Sequence, residues 1–183
     1  MIGSLAEPAM LMVTFTVSLL VGSTSLARVS AFLIDTDVGL RVSLALALVA
    51  LILVAIAENA RIPVDNPATH LELTMVHEAM VLEYSARHLA LIEAAAMVKL
   101  QLYIALIVCL FAPFGIAPYA SDFGALGLGL AAYLAKLALG GLLLGVFETS
   151  IAKMRVFRVG ELLGAALLLG LLATVYLYVS HGL

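Results

Sequence analysis

The residues best suited to acid–base or ion-pair chemistry are concentrated in one polar connection, residues 58–88, between two apolar runs. The charged residues of interest there are Glu58, Arg61, Asp65, Glu72 and Glu83. Arg61 is placed to pair with Glu58 or Asp65, because a guanidinium binds a carboxylate through parallel hydrogen bonds. Carboxylates that are shielded from water can carry a proton or hold a charged partner. The connection is therefore the first candidate for a functional site.

Two of these carboxylates would share a face if the connection is helical. Glu72 and Glu83 are eleven residues apart, which leaves them about 20° apart around a helix of 3.6 residues per turn. Val76 and Ala79 lie between them on the same face, so the face is an apolar strip with a carboxylate near each end. Such a strip is typical of a cavity wall or a partner interface. The alternative is that the carboxylates lie in the lipid headgroup region.

Further titratable residues fall inside or beside the apolar runs. They are Glu7, Glu93, Lys99, Lys136 and Glu148. Because a charge at the centre of a bilayer costs about 2.5–3.5 kcal/mol, Lys99 and Lys136 are expected to face protein or water and to form part of an ion path. The alternative for a residue near the end of a run, such as Glu93, is that its side chain reaches the interface.

Two kinds of site are disfavoured. His77-Glu78 resembles the start of the zinc motif HExxH, but Val81 stands where the second histidine is required. Cys109 is the single cysteine, so we expect no metal or iron–sulfur site in this chain. The formal charge of −3 gives no basic surface for phosphates, which argues against nucleic acid as a partner.

The elements that must position these residues are membrane helices. The sequence is 64% hydrophobic and 11% charged, whereas a soluble domain has about 25% charged residues. Since a helix satisfies its own backbone groups in lipid, runs of roughly 20 apolar residues predict an all-α, polytopic membrane protein in the lipid bilayer. We expect about five spans in a single transmembrane domain. Their predicted ranges are 4–26, 41–57, 89–111, 125–147 and 160–179.

The basic residues predict the orientation of these spans. Five spans place the amino terminus and the charged connections 58–88 and 148–158 on one side, with Arg61, Arg87 and Lys153 among them. The opposite side has Arg28 and Arg41 in its connections. The positive-inside rule therefore predicts a cytoplasmic amino terminus and a multi-pass protein of the inner (plasma) membrane.

Three stretches resemble one protein family: "AENARIPVDNPATHLELTMVHEAMVLEYS", "SLAEPAMLM" and "FETSIAKMRVFRV". The resemblance is to the integral-membrane subunit of energy-converting NiFe hydrogenases, of the formate hydrogenlyase and hydrogenase 4 type. That subunit is similar to the complex I membrane subunit at the quinone chamber. The matching positions are Glu58, Arg61, Pro63, Asp65, Leu71-Glu72-Leu73 and Glu83-Tyr84-Ser85. Members of the family are longer, so we expect an amino-terminal part of the family to be missing here.

The resemblance implies a coupling role rather than catalysis by this chain. It points to Glu7, Glu58, Arg61, Asp65, Glu72, Glu83 and Glu148 as coupling or ion-path residues. It implies peripheral hydrogenase-like and iron–sulfur subunits on the cytoplasmic side and antiporter-like subunits in the membrane. The NiFe centre and the iron–sulfur clusters would lie in those partners, with no cofactor in this chain. The translocated ion would be a proton or sodium.

Two other functions remain open. One is a quinone-site membrane subunit of a complex I-like NADH dehydrogenase. The other is a self-contained secondary transporter, which would more often show internal repeats and spans interrupted by glycine or proline; this sequence shows no such repeat.

Overall fold

The computed structural model describes residues 2–35, 42–59, 61, 83–115, 123–151 and 159–181. All the regular secondary structure in these residues is helical. Its helices are α1 (Ile2–Val21), α2 (Leu26–Asp35), α3 (Val42–Glu58), α4 (Arg87–Phe111), α5 (Phe123–Ser150) and α6 (Val159–His181). The described residues contain no strand. The predicted class, an all-α polytopic membrane protein, is confirmed.

The described helices differ in how well each could span a bilayer. By length and composition α4, α5 and α6 are each long and apolar enough to do so. The pair α1 and α2 passes the same test together but is bent by 56° between its members. The helix α3 is apolar throughout but has only 17 residues, or about 26 Å. All five predicted runs thus contain a helix, of which one is broken and one is short.

The break between α1 and α2 shortens the first predicted span. That span was expected to reach residue 26, but the helix ends at Val21 and Gly22 has a φ of +70°, a conformation that glycine adopts at little cost. A polar connection was predicted after residue 26, and the structure has α2 there instead. In the sequence, Arg28 and Asp35 made this segment look polar. Its apolar side packs against the core, where Val29 is buried and Phe32 and Leu33 are partly buried.

The core of the molecule is a bundle of α1, α3 and α6. Small side chains such as Ala50 and Ala166 are fully buried between these helices, because they let helix backbones approach closely. A Cβ atom on Gly170 of α6 would lie 3.0 Å from the Cβ atom of Met12 of α1. The hydroxyl oxygens of Thr16 and Thr174 are 2.8 Å apart and join the same two helices.

The helices α4 and α5 lie outside this bundle. The helix α4 packs against α2 and α3, whereas α5 packs mainly against α4 and reaches the core through Phe147. Leu110 is the buried residue of α4, and α5 has none. Most of the α4–α5 surface is therefore available to lipid or to another protein, and the candidate site lies where α3 meets this pair.

Candidate functional site

The first contact of the site joins Glu58, the last residue of α3, to Lys99 of α4. The Lys99 ammonium nitrogen is 2.6 Å from Oε2 of Glu58 and donates a second hydrogen bond of 2.9 Å to the backbone carbonyl of Glu58. A cation at this place also interacts favourably with the negative end of the α3 helix dipole. Lys99 thus neutralises a carboxylate and a helix carboxyl end together.

This contact sets the relative positions of α3 and α4. The helices run antiparallel, since Tyr103 packs in the cluster of Val54 and Ile56 while Leu110 packs in the cluster of Ala47. Lys99 is the middle residue of α4. The half of α4 that precedes Lys99 therefore extends about 18 Å beyond the end of α3. Lys99 is thus at the middle of α4 but level with the carboxyl end of α3.

The second contact joins Arg61 to Glu148, near the end of α5. Nη1 of Arg61 is 3.6 Å from Oε1 of Glu148, which is an ion pair beyond hydrogen-bond distance. Within the described part of the chain, that oxygen is buried and accepts no hydrogen bond. The backbone N–H of Arg61 donates to the carbonyl of Ile56 at 3.0 Å, which fixes Arg61 to the last turn of α3.

The pairing differs from one of the two that the sequence suggested, and the other, between Arg61 and Asp65, stays a prediction. Arg61 was expected to pair with Glu58 or Asp65, but Glu58 is held by Lys99 and Arg61 faces Glu148. The sequence favoured an ion pair between residues close together along the chain. In the fold, the helices bring together charged groups that are far apart along the chain. Asp65 lies outside the described residues.

Together the two contacts form a cluster of four charges, which we call the ion-pair cluster: Glu58, Arg61, Lys99 and Glu148. Its formal charge is zero, and its side chains are partly shielded, from 45% exposed at Lys99 to 18% at Glu58. Removing one member of a shielded pair leaves a charge without compensation, which is costly. Each pair holds a different helix to the end of α3, since Glu58 contacts Lys99 of α4 and Arg61 contacts Glu148 of α5.

Lys136 is separate from the ion-pair cluster. It is twelve residues before Glu148 on α5, or about 18 Å along the helix. Its ammonium donates to the carbonyls of Ala112, at 2.7 Å, and of Phe114, and lies 3.9 Å from the centre of the Phe114 ring. These carbonyls follow the carboxyl end of α4, where unpaired carbonyls and the helix dipole attract a cation.

Both lysines are therefore accommodated within this chain. Lys99 contacts a carboxylate, and Lys136 contacts two backbone carbonyls and an aromatic ring.

A narrow cavity of about 370 Å³ connects the two regions. It lies between α3, α4 and α5, and we call it the slot. Among the described residues, its wall is aliphatic and aromatic except for three polar side chains: Arg61 at the end of the ion-pair cluster, Lys136 at the other end and Tyr103 between them. The helices α4 and α5 meet at Gly140, where an added Cβ atom would lie 2.6 Å from Cγ2 of Ile104.

Residues 2–179 match the sequence profile of the NADH dehydrogenase family. The chain belongs to this family. Among curated proteins, formate hydrogenlyase subunit 4 of Escherichia coli (strain K12) is 28% identical over 157 residues, which is 85% of this chain and 49% of that protein. The chain thus spans about half the length of this relative. The resemblance inferred from residues 58–85 and the two shorter stretches is confirmed.

The remaining predicted residues are not part of the ion-pair cluster. In this NADH dehydrogenase family member Glu7 is exposed on α1, and Glu83 is exposed in the turn before α4. Glu72 lies outside the described residues, so the shared face of Glu72 and Glu83 stays a prediction. Glu93 is exposed on the part of α4 that extends beyond α3. The described residues contain no group of three or more His, Cys, Asp or Glu that could hold a metal ion.

Sequence reasoning missed Tyr103 and the slot. Tyr103 follows Lys99 by four residues and so lies on the same face of α4, a signal that could have placed it beside Glu58. No comparable signal exists for the carbonyls that bind Lys136, because backbone acceptors are present at every residue.

Proposed function

We propose that this chain is a membrane anchor and coupling subunit of a multi-subunit complex of the hydrogenase or formate hydrogenlyase type. It links electron transfer in a peripheral arm to translocation of protons or sodium across the membrane. The observation that carries the proposal is the ion-pair cluster, which stands where α3 ends and the charged connection 58–88 begins. The similarity to formate hydrogenlyase subunit 4 supports the same assignment.

The connection 58–88 can act on both ion pairs at once. Glu58 ends α3, and Arg61 follows it by three residues while its backbone remains bonded to α3. A partner that moves the connection therefore shifts a carboxylate facing α4 and a cation facing α5. Each shift changes the distance between a carboxylate and its cation, and with it the compensation of both charges.

The partners follow from this role. Peripheral hydrogenase-like and iron–sulfur subunits would contact residues 58–88 on the cytoplasmic side of the inner membrane, and antiporter-like subunits would lie beside the bundle in the membrane. The NiFe centre and iron–sulfur clusters would belong to those subunits. Asp65, Glu72 and Glu83 would serve the peripheral contact, with Glu7, Lys99, Lys136 and Glu148 along the ion path.

Substitution of Glu58 by glutamine tests the proposal. Glu58→Gln removes the titratable carboxylate at nearly constant volume, so ion translocation per electron should fall about tenfold or more while the complex remains assembled. Glu93→Gln is the matched control, since Glu93 is exposed on the outer half of α4. The measurements are redox activity and ion uptake by inverted membrane vesicles. Unchanged ion uptake in Glu58→Gln would exclude a coupling role for the ion-pair cluster.

A second candidate is the quinone-site membrane subunit of an NADH dehydrogenase-like complex. The match of residues 2–179 to the NADH dehydrogenase family favours it. Quinone reduction by the purified complex distinguishes the two: electron flow that depends on added quinone supports the second candidate, and hydrogen evolution or uptake without quinone supports the first.

A further inference from the structure

The slot has the dimensions of a site for a single extended chain. Its walls follow α4 from Leu100 to Ala112 and α5 from Lys136 to Phe147, which corresponds to about 17 Å at the helical rise. Its volume of about 370 Å³ is near the lower limit of small-molecule sites, which measure roughly 300–1,000 Å³. A volume this small spread over this length leaves room for a narrow ligand.

One side of the slot is open to the surroundings. Its lining residues Ile52, Leu139 and Leu143 are 37%, 56% and 59% exposed. Gly140 lies between the last two on α5, and its close approach to Ile104 brings α4 and α5 together along the slot. A ligand can therefore enter sideways from a bilayer without separating the helices.

The charges at the two ends of the slot differ in availability. Among the described residues that line it, those with formal charge are Arg61 and Lys136, and both are cations. Lys136 is engaged by two carbonyls and the Phe114 ring. Arg61 is 41% exposed and stands beyond hydrogen-bond distance from Glu148. An anion would therefore bind at the Arg61 end, which is where α3 ends and a headgroup would meet water.

We propose that the slot binds one acyl chain of an anionic phospholipid, with the phosphate beside Arg61. A guanidinium binds phosphate oxygens through two parallel hydrogen bonds, and the apolar wall accepts the chain at a depth that matches the hydrocarbon core. The bound phosphate would compete with Glu148 for Arg61. This assignment concerns a lipid and is independent of the redox reaction of the complex.

Lipid retention by the assembled complex tests the assignment. The complex is equilibrated in detergent with equimolar palmitoyl-oleoyl phosphatidylglycerol and phosphatidylcholine, and the lipids that remain bound are counted by native mass spectrometry. Leu143→Trp and, as a second variant, Leu139→Trp should each reduce the retained phosphatidylglycerol about tenfold, because the indole fills the slot. Leu142→Trp is the matched control, since Leu142 is 63% exposed and does not line the slot.

The headgroup is tested with Arg61→Gln. This variant should lose the preference for phosphatidylglycerol over phosphatidylcholine, which we expect to be about tenfold in the wild type because a charge-assisted hydrogen bond contributes a factor of that order. Equal retention by Leu143→Trp, Leu139→Trp and Leu142→Trp would overturn the slot as the lipid site. Wild-type retention of both lipids in equal amounts would overturn the phosphate at Arg61.

Discussion

At the scale of single residues, Lys136 shows how backbone carbonyls can accommodate a charge within an apolar helix. The carbonyls of Ala112 and Phe114 are available because α4 has just ended. An ammonium has three donors, and two carbonyls and a ring surround it here. The lysine side chain therefore serves as the cap of α4, supplied by the neighbouring helix.

Removal of this cap should loosen the last turn of α4. Lys136→Met leaves the carbonyls unsatisfied, so we expect the complex to lose about 1–3 kcal/mol of stability. The amide of Ala112, which donates to the carbonyl of Val108 at 2.9 Å, should exchange hydrogen faster. Lys136→Arg is the control, because it keeps the charge and the donors. Wild-type exchange at Ala112 in Lys136→Met would show that the cap does not hold this turn.

The sequence predicted that Lys99 and Lys136 need partners and could not identify them. Lys99 contacts a residue 41 positions away, and Lys136 contacts residues 24 and 22 positions away. Such contacts depend on which helices are neighbours and on how far one helix is shifted along the other. The hydropathy of the sequence predicts neither of these. Arg61 illustrates the same limit, since its partner Glu148 lies on the second described helix further along the chain.

At the scale of helices, the α4–α5 contact depends on a single glycine. An alanine at position 140 would bring its Cβ atom to 2.6 Å from Cγ2 of Ile104, so the helices must separate or the isoleucine must move. Gly140→Ala should therefore destabilise the complex by about 1–3 kcal/mol. The measurement is thermal unfolding of the purified complex.

The neighbouring glycine provides the control for this prediction. A Cβ atom at Gly141 meets nothing within 4 Å, so Gly141→Ala should be neutral or stabilising by up to about 1 kcal/mol through helix propensity. Ile104→Ala in the Gly140→Ala background should restore part of the loss. Equal melting temperatures for the two glycine variants would contradict a close contact at Gly140.

Helix positions were predictable because apolar runs of bilayer length have few alternatives to a helix. The ends of α4 and of α6 lie within a few residues of the predicted spans. The helix α2 was missed because Arg28 and Asp35 made a partly buried helix look like a connection. The break at Gly22 was missed because glycine is also common inside membrane helices.

At the scale of the whole molecule, the prediction that residues 58–88 face the cytoplasm rests on the distribution of Lys and Arg. It can be measured with cysteines at Ser85 and at Phe123, which is 89% exposed, in a background of Cys109→Ala. Ser85→Cys should react with an impermeant reagent in inverted vesicles, and Phe123→Cys in intact spheroplasts. The reverse pattern would invert the assignment of sides and move the peripheral subunits to the other face.

The position of Lys99 in α4 has a mechanical consequence. Twelve residues of α4 lie on each side of it, so the helix is a rod held at its midpoint by Glu58. Any tilt about that point displaces the two ends by equal distances in opposite directions. A small push on the outer end, at Arg87, therefore appears undiminished at the inner end, about 36 Å away along the helix, which is the end that Lys136 contacts.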